Sequence, residues 1–374
     1  MREYLLVLLV AAGVTYLLSG LCRRVAFRFN AVAMVRDRDV HTKPVPYFGG
    51  VSMLVGLAAA FLVATQLPWL GDFEIVRHDA AAVLLAGTLI CAVGVIDDMV
   101  ELSAIAKIAG QLLAAGVAVM NGVKVYWIPL PDAIVSLDEG ASILLTVLLI
   151  FVAVNAINLI DGLDGLAAGV VAIGSGAFFL YAYLLSYDLE LVRATTSSLV
   201  TVATVGICLG FLPYNIHKAR MFMGDSGAML LGFLMATSVI SLTGQLDPSR
   251  LDASGAGVVA AYLPVLLPFA VLGFPLLDLV LAYVRRTLRG QMWYHPDKQH
   301  LHHRMLNLGH PHRHAVSLLW LWSALVAFGV VLIGLYTSPA VIAGFVLGVA
   351  VAAFLTWGVP WRARRATRVD LGHE

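Results

Sequence analysis

The chain has 374 residues, 60% of them hydrophobic and only 13% charged, with a mean hydropathy of +0.89 and a formal net charge of +1. That composition lies far outside the range of soluble globular domains and marks an integral membrane protein. No nucleic-acid partner is expected.

Stretches near the ~20 apolar residues needed to cross a bilayer recur along the chain. Eleven spans are expected, approximately Tyr4 to Leu21, Gly49 to Gln66, Ala80 to Ile96, Ala104 to Met120, Ser142 to Leu159, Leu166 to Ser186, Ser197 to Leu212, Ala228 to Thr243, Val259 to Val284, Val316 to Tyr336 and Pro339 to Val359. Pro264, Pro268 and Pro275 are expected to kink the ninth. The fold class is therefore all-α, a polytopic membrane protein forming one domain over residues 1–374, without internal repeat or soluble module. The first apolar run has neither the basic start nor the small-residue cleavage site of a signal peptide, so it is expected to remain as a helix. Cys22, Cys91 and Cys208 lie singly in or beside spans and read as packing residues.

Orientation follows from Lys and Arg, which concentrate in short cytoplasmic loops. With the N-terminus outside, only Arg2, Arg77, Lys124, Arg193 and Arg250 of the 24 basic residues face outward. The C-terminus is then cytoplasmic, and the loops near 41–48, 97–107, 158–165, 213–227 and 285–314 share that face. These loops hold the chemistry. Ionised groups at the ends of apolar runs are costly unless a site uses them.

In the run from Asn155 to Gly165, Asn155, Asn158, Asp161 and Asp164 recur every third residue as a hydrophobic helix runs out. Such positions are neighbours on a helix surface, so two amides and two carboxylates are expected along one continuous polar edge. Asp97 and Asp98 close the third span, with Lys107 and Gln111 on the next. Adjacent carboxylates raise each other's pKa unless cations offset them. Asp225, in Met223-Gly224-Asp225-Ser226-Gly227, opens the eighth span, either as a helix cap or as an oxygen ligand suited to Mg²⁺. Seven of the eleven histidines fall between His295 and His314. The interleaved Lys298, Arg304 and Arg313, with no cysteine nearby, favour an anion-binding surface over a zinc site. Carboxylates that hold a metal, beside Lys43, Lys107, Lys218 and Arg220, are what phosphoryl transfer requires: positioning, and neutralisation of charge on the moving group. The membrane location implies a lipid substrate.

Several of these segments, taken in order, resemble the polyprenyl-phosphate N-acetylhexosamine-1-phosphate transferase family. They are Pro46-Tyr47-Phe48-Gly49-Gly50, the Asp97-Asp98 pair, Asn155 to Gly165, Pro213-Tyr214-Asn215 through Gly224-Asp225-Ser226-Gly227, and His295 to His303. The resemblance is closest to the bacterial branch making polyprenyl-diphosphate-GlcNAc. It implies Mg²⁺, with Mn²⁺ as a substitute, and attack of polyprenyl phosphate on the β-phosphorus of UDP-GlcNAc with release of UMP. It implies metal binding by Asp225 and Asp98, and catalytic roles for Asp97, Asp98, Asp225 and Lys107. Lys43, Asn155, Asn158, Asp161, Asp164, Asn215, Lys218, Arg220, His300, His302, His303 and Arg304 would bind substrate. A branch using UDP-MurNAc-pentapeptide carries three consecutive histidines and then an acid. Here His300-Leu301-His302-His303 is followed by Arg304, which favours the smaller donor. A homodimer in the bacterial plasma membrane is compatible with the resemblance.

Three rivals fare less well. An intramembrane aspartyl protease needs glycine where Phe222 stands, and a CDP-alcohol phosphotransferase needs an arginine that neither Asp161-Gly162-Leu163-Asp164 nor Asp164-Gly165-Leu166-Ala167 supplies. A transporter would hold its substrate near mid-membrane, whereas these acids gather at one face.

Overall fold

The computed structural model describes residues 1–29, 31–33, 44–130, 133–188, 192–243, 273–288, 301–336 and 338–358. Lys43, His300 and the first part of the expected ninth span lie outside them. The helices in chain order are α1 (Arg2–Arg28), α2 (Gly49–Ala64), α3 (Glu74–Val100), α4 (Ala104–Met120), α5 (Glu139–Ile160), α6 (Leu166–Asp188), α7 (Val192–Asn215), α8 (Gly224–Thr243), α9 (Gly273–Leu288), α10 (Leu301–Asn307), α11 (His312–Leu335) and α12 (Pro339–Ala353). Among the described residues eight helices are long and apolar enough to cross a membrane, while α2 and α4 are apolar but have 16 and 17 residues.

Helices dominate because no water in the bilayer core can satisfy an open backbone group. Their ends are fixed locally. Ser103 accepts from Ala106 N at the start of α4, Asp138 from Gly140 N and Ala141 N at α5, and Ser338 from Val341 N ahead of Pro339 at α12. The purely helical expectation misses two small antiparallel hairpins, Val32–Ala33 with Val45–Pro46 and Trp127–Leu130 with Ala133–Ser136. Both are too short to show a two-residue hydrophobic alternation, which is why periodicity does not reveal them. The three cysteines are free thiols, with Cys91 and Cys208 buried.

The helix that organises the others is α8. It packs on α2, α3, α5, α6 and α7 and is buried along almost its whole length. Small residues let these backbones approach, as membrane helices commonly require. Side chains on Gly232 would strike Val154 of α5, and on Gly210 or Gly206 would strike the backbone of α1. At one end of α8, the backbones of α2 and α3 come to within contact of its first turn through Gly50 and Gly94.

A Cβ on Gly94 would overlap backbone atoms of Asp225 and Ser226, whereas one on Gly116 of α4 would meet nothing within 4 Å. Gly94→Ala is expected to destabilise the protein by about 1–3 kcal/mol, the usual cost of forcing bulk into a close-packed contact. Gly116→Ala should leave the melting temperature in detergent unchanged or raise it. Thermal denaturation of the two variants side by side checks the difference.

Candidate active site

The first turn of α8 is capped from another helix. Asp98, in the last turn of α3, accepts from Asp225 N on Oδ1 at 2.7 Å, and from Ser226 N and Ser226 Oγ on Oδ2 at 3.2 and 2.9 Å. The first N–H groups of a helix have no partner within it, and a carboxylate there also meets the positive end of the helix dipole. Gly224 makes the approach feasible: its φ is +68°, and a Cβ at that position would strike the Asp98 carboxylate. The expected choice between cap and ligand for Asp225 thus resolves locally, since Asp98 supplies the cap and Asp225 keeps its side chain for other partners.

The segment before α2 holds the same loop from the other side. Phe222 N donates to Pro46 O at 2.9 Å, Gly49 N to Phe222 O at 3.2 Å and Gly50 N to Met223 O at 3.1 Å. Phe48 takes φ +77° to make this turn, a conformation costing a non-glycine residue about 1–3 kcal/mol. The Pro46–Gly50 motif is therefore a backbone brace for Met223-Gly224-Asp225.

Around Asp225 four helix ends converge. The Lys107 ammonium lies between Asp225 Oδ2 and Asp97 Oδ2, the latter at 2.9 Å. Asn158 Nδ2 donates to Asp225 Oδ1 at 2.8 Å. Asp97 Oδ1 accepts from Leu102 N at 2.8 Å, so both oxygens of Asp97 are engaged. Asp161, the residue just after α5, contributes a further carboxyl group. Desolvation raises its carboxyl to about 8, and the nearby charges of Asp225, Asp98 and Asp164 push the same way. Carboxylates outnumber cations here, as a site built to receive positive charge requires.

The continuous polar edge expected from Asn155 to Asp164 does not form. α5 stops at Ile160, and the next residues turn before α6 begins at Leu166. Only Asn155 and Asn158 remain on the helix. Asn155 is one step back from the carboxylates, donating to Gln111 Oε1 at 2.8 Å, and Gln111 donates to Met229 Sδ. Asp164 is buried, its Oδ2 accepting from Ala219 N at 3.0 Å and lying 3.1 Å from His217 Nδ1. Three-residue spacing carries this information only while the helix lasts. Asn215 is buried too: its Oδ1 accepts from Gly165 N and its Nδ2 donates to Met221 O, which ties the turn after α5 to the loop before α8.

Lys218, Arg220 and Arg304 are exposed. Arg220 donates to Pro213 O and lies over the Tyr214 ring, 5.1 Å from its centroid. His302 and His303 stand in the first turn of α10. His217 was not singled out by the sequence, and its position four residues after Pro213 in the Pro-Tyr-Asn segment was the only available signal.

The family model described as glycosyl transferase family 4 matches residues 80–243, the stretch from α3 through α8. A decaprenyl-phosphate N-acetylglucosaminephosphotransferase of Mycobacterium tuberculosis is 43% identical over 365 residues, covering 96% of this chain and 89% of that protein. One of the same name from Mycolicibacterium smegmatis is 45% identical over 88% of this chain and 82% of its own length. A probable undecaprenyl-phosphate N-acetylglucosaminyl 1-phosphate transferase of Bacillus subtilis is 34% identical over 82% and 78%. The chain belongs to the polyprenyl-phosphate N-acetylhexosamine-1-phosphate transferase family.

The transferase is thus a membrane enzyme that moves a sugar phosphate, and its carboxylate cluster fits that task. The acidic groups around Asp225 offer carboxylate oxygens, while the Asn158 amide nitrogen and the Lys107 ammonium donate to Asp225 itself. Hard divalent ions such as Mg²⁺ prefer such oxygens. Asp98→Asn should place an amide against the N–H groups of α8 and cost about 1–2 kcal/mol of stability. Asp225→Asn in the same transferase removes one of two carboxylates competing for Lys107 and should leave the melting temperature unchanged or higher. Thermal denaturation of the two variants in detergent separates a capping carboxylate from a chemical one.

Proposed function

We propose that the transferase moves GlcNAc-1-phosphate from UDP-GlcNAc to polyprenyl phosphate, giving GlcNAc-diphosphate-polyprenyl and UMP. The observation that carries this reading is the convergence of Asp97, Asp98, Asp225, Asn158 and Lys107, in a chain whose relatives over nearly its full length bear that activity in their names. We assign the site to the cytoplasmic face of the plasma membrane, because the loops on its side carry the Lys and Arg excess. Eleven spans, an external N-terminus and a cytoplasmic C-terminus complete the reading.

Asp225 would hold Mg²⁺, with Asp98 offering lone pairs beyond those its cap uses and Mn²⁺ able to substitute. When bound, the ion supplies neutralisation of the diphosphate and of the departing UMP phosphate. The residues present do the rest. Asn158 fixes the rotation of the Asp225 carboxylate, and Lys107 holds positive charge between Asp225 and Asp97 where a phosphate must approach two acids. Asp98 occupies the N–H groups of Asp225 and Ser226, so the diphosphate meets Lys107 instead of the helix end.

The lipid phosphate oxygen attacks the β-phosphorus, and the bond from that phosphorus to the bridging oxygen breaks to release UMP. A phosphate monoester has a second pKa of about 6, so the nucleophile is already mostly dianionic at neutral pH. Asp97, bound to Leu102 N and Lys107, is suited to positioning Lys107, and a nucleophile already dianionic needs no base. Attack is then direct, without a covalent aspartyl-phosphate. Lys43, Lys218, Arg220, His300, His302, His303 and Arg304 are proposed to close over the sugar and phosphates from the cytoplasmic loops.

With purified protein, polyprenyl phosphate, Mg²⁺ and labelled UDP-GlcNAc, label should enter the organic phase in step with UMP release, and both should stop with EDTA or Asp225→Asn. Transfer only from another UDP-sugar would overturn the donor, and no transfer from any would overturn the reaction. Asp97→Asn is expected to lower kcat by roughly 10²-fold, as when a preorganised charge is lost, while leaving the pH dependence of the rate unchanged. A flattened acidic limb, or a trapped phospho-enzyme, would show that Asp97 accepts a proton or that an aspartate is phosphorylated.

A further inference from the structure

On the far side of Asp161 from Lys107 in sequence, a second group of ligating side chains converges. Asp164 comes from the turn between α5 and α6, His217 from the loop between α7 and α8, and His312 from the first turn of α11. One ligand atom from each lies within 4.8 Å of the other two. Asp164 Oδ2 and His217 Nδ1 are 3.1 Å apart, and the two imidazoles stack with centroids 4.3 Å apart and planes inclined by 22°. Asp164 is buried and both histidines are half-buried.

We propose that Asp164, His217 and His312 form a second metal site, one that takes a divalent transition ion of the zinc type and not Mg²⁺. Two imidazoles and a carboxylate are the donor set such ions favour, whereas Mg²⁺ seeks oxygen alone. Bonds of about 2.0–2.1 Å place tetrahedral donors about 3.3 Å apart. The Asp164–His217 pair is already near that spacing, and a turn of the His312 ring out of the stack brings in the third ligand. Supporting contacts hold the first two in place, as metal ligands generally require. Ala219 N donates to Asp164 Oδ2 at 3.0 Å, and Arg313 donates to the His217 carbonyl oxygen at 3.1 Å, so its guanidinium is directed to backbone and not to the ring.

A metal would draw on all three groups, which arrive from segments far apart in sequence. It would also fasten the start of α11, which ends the histidine-rich stretch, to the turn carrying Asp161, and would offset one of the carboxylate charges around Asp225. The role is a clamp beside the chemistry, separate from the Mg²⁺ proposed at Asp225.

The test uses the full chain in detergent, stripped with chelator, incubated with Zn²⁺ or Mg²⁺, exchanged into metal-free buffer and measured for bound metal and melting temperature. Wild type and Asp225→Asn should each retain one zinc per chain and melt higher with zinc than without. His217→Gln and His312→Gln should lose that zinc and the rise in melting temperature, while melting like wild type in its absence. Mg²⁺ should not be retained by any of them. His217 lies outside the histidine-rich stretch, so zinc unaffected by His217→Gln would place the ion elsewhere and overturn the proposal, as would folded wild type that retains none. If His217→Gln does not fold, His312→Gln decides by the same readings.

Discussion

The Asp98 carboxylate at the N-terminus of α8 is the contact on which the site depends. It joins the end of α3 to the start of the most buried helix, and it does so with three hydrogen bonds to one carboxylate. Gly224 must be glycine to admit it, and Gly50 and Gly94 must lack side chains for α2 and α3 to come close enough. With that junction made, Asp225 projects from a fixed first turn toward Lys107 and Asn158. The placement of one charge is thus secured by a helix cap and three small residues.

Charge balance is the second organising constraint. Asp97 and Asp225 share the ammonium of Lys107, while Asp98, Asp161 and Asp225 lie near enough to act on one another, with Asp164 near enough to act on Asp161. Like charges so near one another are tolerable only where cations are expected to arrive. The fold therefore stores an electrostatic deficit that a metal ion is suited to fill, and keeps the surplus at the ends of helices, away from the apolar middle.

Much of this was legible in the residues. Among the described residues the long apolar runs give helices where they are expected, and Met223-Gly224-Asp225 does open one. What a one-dimensional pattern could not carry is where a helix stops and which way a side chain then turns. Asn158 and Asp164 look equivalent at three-residue intervals, yet Asp161 ends the helix, leaving Asn158 on Asp225 and Asp164 on Ala219 and His217. Pro46-Tyr47-Phe48-Gly49-Gly50 was recognisable as a motif, but its work is done by backbone groups, which every residue possesses and no sequence pattern displays. His217 and His312 are 95 positions apart, and only the tertiary fold brings them face to face.

The shortness of α4 has its own consequence for the lipid around it. Seventeen residues rise about 25 Å, less than the ~30 Å thickness of a bilayer's hydrocarbon core. Ile105 near one end and Met120 at the other are both open to the surroundings, at 81% and 86% exposure, so an apolar flank of the helix is uncovered from end to end. A membrane matched to that flank would thin there, at a cost of a fraction of a kcal/mol for each Å of mismatch. Lys107 stands near the start of the same helix, turned inward onto Asp97 and Asp225, so thinning at that end would bring the membrane surface toward the ammonium. A long-tailed phospholipid-like substrate diffusing in that leaflet would find its headgroup lowered to the depth of the acids while its tail stayed in the hydrocarbon.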